Sequence, residues 1–307
     1  MERDPHLEEW LDSLRVRPRT AESYRSIVRR YLEPAIGRVP LARLQPEHVL
    51  AMLRDLERRE PPLSPTTVRY VYVVLRITLG RALKHGYVLR NVAALIDPPA
   101  RARHELQPMS AEQARAFLAS LRGDRLEALY RLAITSGLRQ GELLGLRWRD
   151  IDLVGATLTV RHTLQQRTRT LAEPKTERSR RTIPIDADTI KVLGQHRRRQ
   201  FEERLAAGSD WHDLDLVFPS RTGTPMDHRN LVRAFHTARK RAGLPKQSFH
   251  QLRHASATLG IEAGESIFEV SRRLGHANIS TTADIYGHLT PASMRRSADR
   301  MRDVLAG

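Results

Sequence analysis

The sequence predicts a mainly α protein with a small β-sheet, in which a helical N-terminal domain precedes an α+β domain. Apolar residues recur at intervals of three and four over most of the chain, which is the spacing of one helix face. Residues 156–164 and 181–185 instead alternate between apolar and polar, as strands do. The 307 residues exceed the size at which one hydrophobic core usually stops growing, roughly 250 to 300 residues. Two domains are therefore expected.

Residues 1–97 are expected to form the helical domain. Thr20 can cap a first helix, whose apolar side chains share one face and which ends near Gly37. A second helix follows Pro46. A third begins at Ser64, because Ser-Pro-Thr is typical of a helix start.

Residues 109–307 are expected to form the second domain, joined to the first by a linker at 98–108 that contains prolines and lacks apolar periodicity. Ser110 can cap the first of two helices, near 111–121 and 125–136, and Gly137 ends the second. The two alternating segments then form a small sheet of two or three strands. Helices resume after it, and they are expected at 188–207, at 227–241 and, in shorter pieces, to the C-terminus.

The composition indicates a polyanion as partner. Lys and Arg number 52 against 35 Asp and Glu, a net charge of +17, and all but five of the basic residues are arginines. Guanidinium groups match the geometry of phosphate oxygens, so nucleic acid is favoured over a membrane surface or a role in solubility alone. The absence of cysteine excludes a disulfide framework, a thiolate zinc site and a cysteine nucleophile. No apolar run is long enough to cross a bilayer, and the expected location is the cytoplasm, in association with the nucleoid.

A cluster of histidine and arginine occurs in the segment FHQLRH. His250, Arg253 and His254 lie at i, i+3 and i+4 and therefore share one face of a helix. Zinc is disfavoured, because the segment lacks the glutamate of HExxH and because Arg253 would repel a cation. The same spacing suits an anion, since Arg253 can bind two phosphate oxygens and a histidine can donate a hydrogen bond or move a proton. A buried structural role is the alternative for His254.

Arg139, in the segment TSGLRQGELLGLRW, is a second candidate for phosphate binding. It stands at the start of a helix, where backbone N–H groups and the helix dipole also favour an anion. A solvated surface arginine is the alternative in a chain so rich in arginine. Glu142 follows three residues later, and it either orients Arg139 or forms an ordinary surface ion pair.

Three further groups complete the candidate set. Lys175 lies in the turn between two predicted strands, where a mobile ammonium group can reach a leaving oxygen as a general acid. His276 follows a glycine that ends a helix, and Tyr286 lies only ten residues later, so the two are expected to be close in space. An isolated tyrosine is usually a core residue. Phosphate contacts, or alternatively a solvated hairpin, are expected for the neighbours of Lys175, namely Arg178, Arg180 and Arg181.

Together these groups fit the cleavage of a phosphodiester by a tyrosine. Two arginines neutralise the non-bridging oxygens, histidines donate hydrogen bonds to them, a lysine protonates the departing oxygen, and the tyrosine attacks phosphorus. No metal or other cofactor is required. A tyrosyl phosphate conserves the energy of the broken bond, so the strand can be rejoined without ATP.

The ordered motifs resemble those of the tyrosine recombinases, the phage integrase family of site-specific recombinases. The resemblance covers nearly the whole chain, because that family places a helical core-binding domain before its catalytic domain. It assigns Tyr286 as the nucleophile and Glu142 as the acidic residue that follows the first arginine. The other catalytic residues that it implies are, in chain order, Arg139, Lys175, His250, Arg253 and His276.

The resemblance also implies partners and a reaction. The substrate is double-stranded DNA with specific recombination sites, cleaved through a 3′-phosphotyrosyl link and exchanged through a Holliday junction, as in integrases, excisionases or Xer-like enzymes. Four protomers assemble on the DNA, and accessory DNA-bending or directionality proteins take part in some members. A C-terminal helix that opens at Thr290 carries an apolar stripe, which packs either on its own domain or on a neighbouring protomer.

Two other functions fit parts of the sequence. A type IB topoisomerase uses similar chemistry and relaxes DNA without needing two sites. A DNA-binding regulator built on the same scaffold would bind DNA without cleaving it, but it leaves the complete catalytic set unexplained.

Overall fold

A computed structural model describes residues 16, 18–100, 108–173, 180–276, 278–286, 301, 302 and 305. The chain divides into two compact units, residues 1–106 and 107–307. Helices dominate both units and the strands are few and short, which confirms a mainly α fold with a small β-sheet. None of the helices in the described part of the chain is both long enough and apolar enough to span a membrane.

The first unit contains helices and no strands among its described residues. Its elements are α1 (Pro18–Ile27), which continues through a π-helical turn (Val28–Leu32) into α2 (Glu33–Ile36), followed by α3 (Pro46–Arg58) and α4 (Pro65–Lys84).

The starts of α3 and α4 confirm the expectations from Pro46 and Ser64. The Ser64 hydroxyl accepts a hydrogen bond from the Thr67 N–H at 3.2 Å, as an N-cap does. The expectation for Thr20 was wrong, because it lies inside α1, which already includes Pro18. Proline suits a first turn, where its fixed φ is helical and its missing N–H has no intrahelical partner to lose.

The core of the first unit is aliphatic. The π-helical turn, α3 and α4 contribute fully buried side chains such as Val28, Val49 and Val68. Tyr72 lies among them and donates its hydroxyl to the Ala93 carbonyl at 2.9 Å, so its one polar atom is satisfied inside the core.

The second unit surrounds a small sheet with helices. Its described elements are α5 (Ala111–Ser120), α6 (Glu127–Ser136), α7 (Gln140–Leu144), β1 (Ile151–Asp152), β2 (Thr157–Val160), β3 (Thr163–Leu164), β4 (Leu171–Ala172), β5 (Arg181–Pro184), α8 (Ala187–Ala207), α9 (His228–Arg241), α10 (Gln251–Glu262), α11 (Ile267–Leu274) and α12 (Ser280–Tyr286). Ser110 caps α5 by accepting the Gln113 N–H at 3.1 Å, as predicted.

The strands form an antiparallel sheet in the order β1-β2-β5, while β3 and β4 pair separately. Leu158 of β2 lies opposite Ile183 of β5, and both side chains are buried against the helices. The alternating segment 156–164 forms two strands, with an interruption between β2 and β3. At the interruption Arg161 pairs at 3.2 Å with the buried carboxylate of Asp150, a partner that sequence alternation does not reveal.

Aromatic rings join the helices of the second unit. Phe117 of α5, Tyr130 of α6 and Phe235 of α9 have ring centroids 5.5 to 6.0 Å apart. Phe249 lies 5.6 Å from Phe235 and immediately precedes His250. The core therefore holds the start of α10 in place.

Two predicted features lie largely outside the described residues. The hairpin turn that contains Lys175 is one, and the C-terminal helix is the other. Of that helix, Met301 and Leu305 are helical and exposed.

Replacing Phe235 with alanine tests the aromatic core. Phe235 is fully buried, so Phe235→Ala should lower the free energy of unfolding by about 3 to 5 kcal/mol through lost burial and a residual cavity. Urea unfolding of the full chain, followed by circular dichroism, measures this change. The matched control is Phe201→Ala on α8, where the side chain is 59% exposed and a change within about 0.5 kcal/mol is expected. Equal losses in the two variants would contradict this account of the core.

Candidate active site

Helix α10 carries three of the polar groups in the candidate site. His250 precedes its first residue, and Arg253 and His254 lie in its first turn. The imidazole rings of His250 and His254 are 5.0 Å apart between centroids and perpendicular to each other. Sequence spacing placed these residues on one face, and the structure shows the two rings adjacent.

Arg253 connects α10 to the ends of two other helices. Its Nη1 donates to the Gly137 carbonyl and its Nη2 donates to the Leu274 carbonyl, both at 2.6 Å. These carbonyls lie at the C-termini of α6 and α11, where the helix dipole is negative, so a buried guanidinium is favourable there. Burial, followed by the charge of Arg139, lowers the pKa of Arg253 to about 9, and the group stays charged at neutral pH.

Two glycines make this close approach possible. Gly137 and Gly275 end α6 and α11 in the left-handed conformation, with φ of 66° and 67°. A Cβ on Gly137 would lie 2.4 Å from the Leu274 side chain, and a Cβ on Gly275 would lie 2.8 Å from Nη1 of Arg181. Both positions therefore require glycine for backbone conformation and for space.

Glu142 holds two arginines. Its carboxylate accepts from the backbone N–H of Arg139 at 2.8 Å and from Arg139 Nη1 at 2.9 Å. Arg181 donates to the same carboxylate at 3.0 Å. Glu142 is buried, and burial alone would raise its pKa, but Arg181 and then Arg139 outweigh burial and lower it. Glu142 therefore orients Arg139 and is not an ordinary surface ion pair.

Arg139 is the more exposed of the two candidate phosphate-binding arginines. Its side chain is 40% exposed, and its Nη2 donates to the Gly275 carbonyl at 3.2 Å. Of the backbone N–H groups at its helix start, that of Arg139 itself is not available to an anion, since Glu142 accepts it. The guanidinium, fixed by Glu142 and Gly275, is the group available to a ligand.

Helix α12 brings Tyr286 to α10. The hydroxyl of Tyr286 forms a hydrogen bond with Nδ1 of His254 at 2.5 Å. At the start of the same segment, Nδ1 of His276 forms a hydrogen bond of 2.7 Å with the hydroxyl of the buried Thr282. Each of these two histidines therefore forms a hydrogen bond through Nδ1. His254 bonds to the candidate nucleophile, and His276 bonds to the helix that carries it.

The electrostatic state of these groups follows from burial among positive charges. Burial, followed by the charges of His250 and Arg253, lowers the pKa of His254 to about 4. Burial, followed by Arg253, Arg139 and Arg181, lowers the pKa of His276 to about 4 as well. Burial raises the pKa of Tyr286 to about 12, although Arg253 acts in the opposite direction. At neutral pH the two histidines are neutral and the tyrosine keeps its proton.

The residues beside the predicted hairpin have different surroundings. Lys175 and Arg178 lie outside the described residues. Arg180 is exposed and pairs with Glu173 at 3.0 Å. Phosphate contact or a solvated hairpin was expected for Arg181. Its side chain is 8% exposed and pairs with Glu142, so it is not solvated. It also donates to the Arg273 carbonyl at 2.6 Å, so it packs the sheet against the end of α11.

Sequence reasoning missed His254 as a partner of the tyrosine. A signal was present, because a second histidine follows Arg253 directly and lies one helical turn from His250. That spacing also fits a buried structural histidine, and only the packing of α12 against α10 distinguishes the two. Among the described residues, no group of three or more His, Asp or Glu side chains is arranged to hold a metal ion.

Comparison with known proteins identifies the family. The phage integrase family profile matches residues 105–293, and the profile of the phage integrase central domain matches residues 6–98. A "Tyrosine recombinase XerC-like" protein of Caldanaerobacter subterraneus subsp. tengcongensis is 35% identical over 261 residues, which cover 78% of this chain and 67% of the relative. An integrase of Streptomyces ambofaciens is 31% identical over 277 residues, covering 87% and 71%.

Solved structures share the fold at lower identity. The Tn1549 transposon integrase in complex with transposon right end DNA has a TM-score of 0.78 at 22% identity, covering 97% of this chain and 98% of that one. A lambda integrase tetramer bound to a Holliday junction has a TM-score of 0.66 at 20% identity, covering 92% and 76%. With the two profiles spanning most of its length, the chain belongs to the phage integrase family, the tyrosine recombinases that break and rejoin DNA in site-specific recombination.

Proposed function

We propose that Tyr286 is the nucleophile with which this recombinase cleaves DNA. The proposal rests on the hydrogen bond between the Tyr286 hydroxyl and Nδ1 of His254. Because His254 directly follows Arg253, this bond holds the hydroxyl close to the candidate phosphate-binding residues. Arg253 is also an electrostatic neighbour of the phenol, and its charge favours the ionised form of the tyrosine. One cluster of residues can therefore bind an anionic phosphate and position the attacking phenol oxygen.

The scissile phosphate would be held by Arg139 and Arg253. Arg139 is partly exposed and oriented by Glu142, which suits a group that must meet DNA. Arg253 uses Nη1 and Nη2 on two carbonyls and keeps further N–H groups for a ligand. His250 and His276 would donate hydrogen bonds to the same phosphate, and the lowered pKa of each keeps it neutral and able to donate from one ring nitrogen.

The reaction is a transfer of the phosphoryl group between two oxygens. The Tyr286 oxygen forms a bond to phosphorus while the bond to the 5′ oxygen breaks, and Lys175 supplies the proton for that oxygen. The product is a 3′-phosphotyrosyl link and a free 5′-hydroxyl. Attack by the 5′-hydroxyl of a partner strand reverses the chemistry and leads to a Holliday junction.

The proposed domain roles and partners follow from this chemistry. The helical domain at 1–97 would bind DNA, the linker would span 98–108, and 109–307 would carry out catalysis. The substrate would be double-stranded DNA with specific recombination sites, so the protein would associate with the nucleoid. We propose a homotetramer on DNA, with accessory DNA-bending or directionality proteins where the direction of exchange is controlled. Arg180 and Arg178 would contribute phosphate contacts near Lys175.

Replacing Tyr286 with phenylalanine should abolish the covalent protein-DNA adduct and leave DNA binding in place. The change removes the attacking oxygen and the hydrogen bond to His254, but no charged group. Nicked duplexes from the DNA that flanks the gene, run on denaturing gels, detect the adduct, and native gels report binding. An adduct that survives in Tyr286→Phe would disprove the assignment. Sequence-independent relaxation of supercoiled plasmids would instead favour a topoisomerase.

Replacing Glu142 with glutamine tests the support of Arg139. Glu142→Gln should lower the free energy of unfolding by about 3 kcal/mol at neutral pH, since two arginines lose a buried partner. It should also slow adduct formation on the order of 10²-fold, because Arg139 is less well placed. Urea unfolding and single-turnover cleavage measure the two effects.

The stability effect of Glu142→Gln should depend on pH in a defined direction. The folded state lowers the pKa of Glu142 from 4.5, so its contribution is fully present above that value and is lost as the pH falls below it. The difference between wild type and variant should therefore shrink in acid. The control is Glu173→Gln, which removes a surface pair with Arg180 and should change stability by less than about 1 kcal/mol. A difference that grows in acid would contradict the account.

Deleting residues 291–307 tests the proposed tetramer. We propose that the C-terminal apolar stripe packs on a neighbouring protomer, so the deletion should weaken assembly on paired sites more than it weakens folding. Sedimentation of complexes with paired duplexes measures assembly, and thermal unfolding of the free protein is the control. Unchanged assembly would count against exchange of this helix.

A further inference from the structure

The hydroxyl of Tyr286 requires a proton acceptor, and the described residues offer one. Its hydrogen bond to Nδ1 of His254, at 2.5 Å, is its only side-chain hydrogen bond within the described part of the chain. Tyr286 is buried, with 3% of its surface exposed, and His254 beside it is half-buried. A phenol whose pKa is about 12 is almost entirely protonated at neutral pH, so attack on phosphorus must be coupled to loss of its proton.

The neighbouring histidines are less well placed for this task. Nδ1 of His276 is bonded to the Thr282 hydroxyl at 2.7 Å, which ties that ring to α12. The His250 ring lies at right angles to the His254 ring, 5.0 Å away. Of the three imidazoles in the cluster, His254 is the one in contact with the reacting oxygen.

Resting on the proposed function of Tyr286 as nucleophile, we propose that Nδ1 of His254 accepts the tyrosine proton as the phenol oxygen attacks phosphorus. The O–H bond of Tyr286 breaks, its oxygen bonds to phosphorus, and the proton moves to His254, which becomes an imidazolium. The bond from phosphorus to the 5′ oxygen breaks, and that oxygen takes its proton from Lys175. In rejoining, the imidazolium returns its proton to the departing tyrosine oxygen.

The surroundings of His254 keep it ready to accept this proton. His250, Arg253, His276 and Tyr286 are the titratable groups around the ring, and burial together with His250 and Arg253 lowers its pKa to about 4. The ring is therefore neutral at physiological pH. For Nδ1 to receive a proton, the neutral ring must carry its single hydrogen on Nε2.

DNA itself would raise the basicity of His254. The positive charge of Arg253 is one cause of the lowered pKa, and a bound phosphodiester brings a negative charge to that arginine. Opposite charge nearby favours the protonated imidazole. The base would thus be weak in the free protein and stronger when the substrate phosphate is in place.

Two substitutions at one position separate proton transfer from simple hydrogen bonding. His254→Leu removes both functions, whereas His254→Asn places an amide near the position of Nδ1 and can accept a hydrogen bond but not a proton. The test measures single-turnover adduct formation against pH, on a nicked duplex that wild type cleaves. The control is His212→Asn, at an exposed histidine, and thermal unfolding with native gels checks folding and DNA binding in every variant.

We expect both His254 variants to lose on the order of 10² to 10⁴ in rate at neutral pH. Their rates should rise about tenfold per pH unit, because Tyr286 must then ionise before it attacks. Wild type should show little dependence on pH until the pH falls through the pKa of His254 in the DNA complex, which should lie above its value of about 4 in the free protein. If His254→Leu fails to fold, His254→Asn alone carries the test.

A His254→Asn rate close to wild type, or a loss without the new pH dependence, would overturn the proposal and leave His254 as a positioning residue. Failure of the proposed function gives a different result. In that case wild type forms no adduct that depends on Tyr286, as the Tyr286→Phe variant shows, and this inference falls with it. An adduct that requires Tyr286 but not His254 overturns the further inference alone.

Discussion

The paired hydrogen bonds from Arg253 to the Gly137 and Leu274 carbonyls are the interaction on which the site depends. One buried guanidinium satisfies the C-termini of α6 and α11, so the segments that leave both helices start at the same place. Arg139 follows one of them and His276 follows the other. Moving Arg253 would therefore disturb the site by releasing two helix ends as well as by removing a charge. Buried carbonyls left without donors would add to the cost.

The charge balance of the site is incomplete in the protein alone. Arg139, Arg181 and Arg253 lie close enough to influence the same histidine, and Glu142 is the carboxylate that pairs with the first two. The lowered pKa values of the histidines reflect this excess of positive charge, and the neutral rings add no further charge. In the proposed function, a bound phosphodiester would supply the missing anion. The same excess of positive charge would attract that anion, and it lowers the pKa values of the histidines, which keeps their rings neutral.

The candidate catalytic residues could be proposed one by one because each lies in a short motif, but their arrangement could not. Glu142 was equally compatible with a surface pair until its burial beside Arg181, 39 residues away, was known. Arg181 belongs to an arginine-rich segment whose sequence is typical of a solvated hairpin. In the structure its side chain lies in β5, buried against Glu142 and the end of α11. His254 shares its pattern with any buried histidine. In each case the deciding contact comes from a distant part of the chain, and no local pattern encodes it.

By itself, the sequence determined the class of fold, the position of most helices and the identity of the candidate catalytic groups. Helix periodicity, caps at Ser64 and Ser110 and the helix end at Gly137 act within a few residues, so they can be read locally. Tertiary structure alone decided where β2 stops, which arginine is buried and which histidine meets Tyr286. These features depend on contacts such as Arg139 with Gly275, 136 residues apart, and such contacts exist only after the helices have packed.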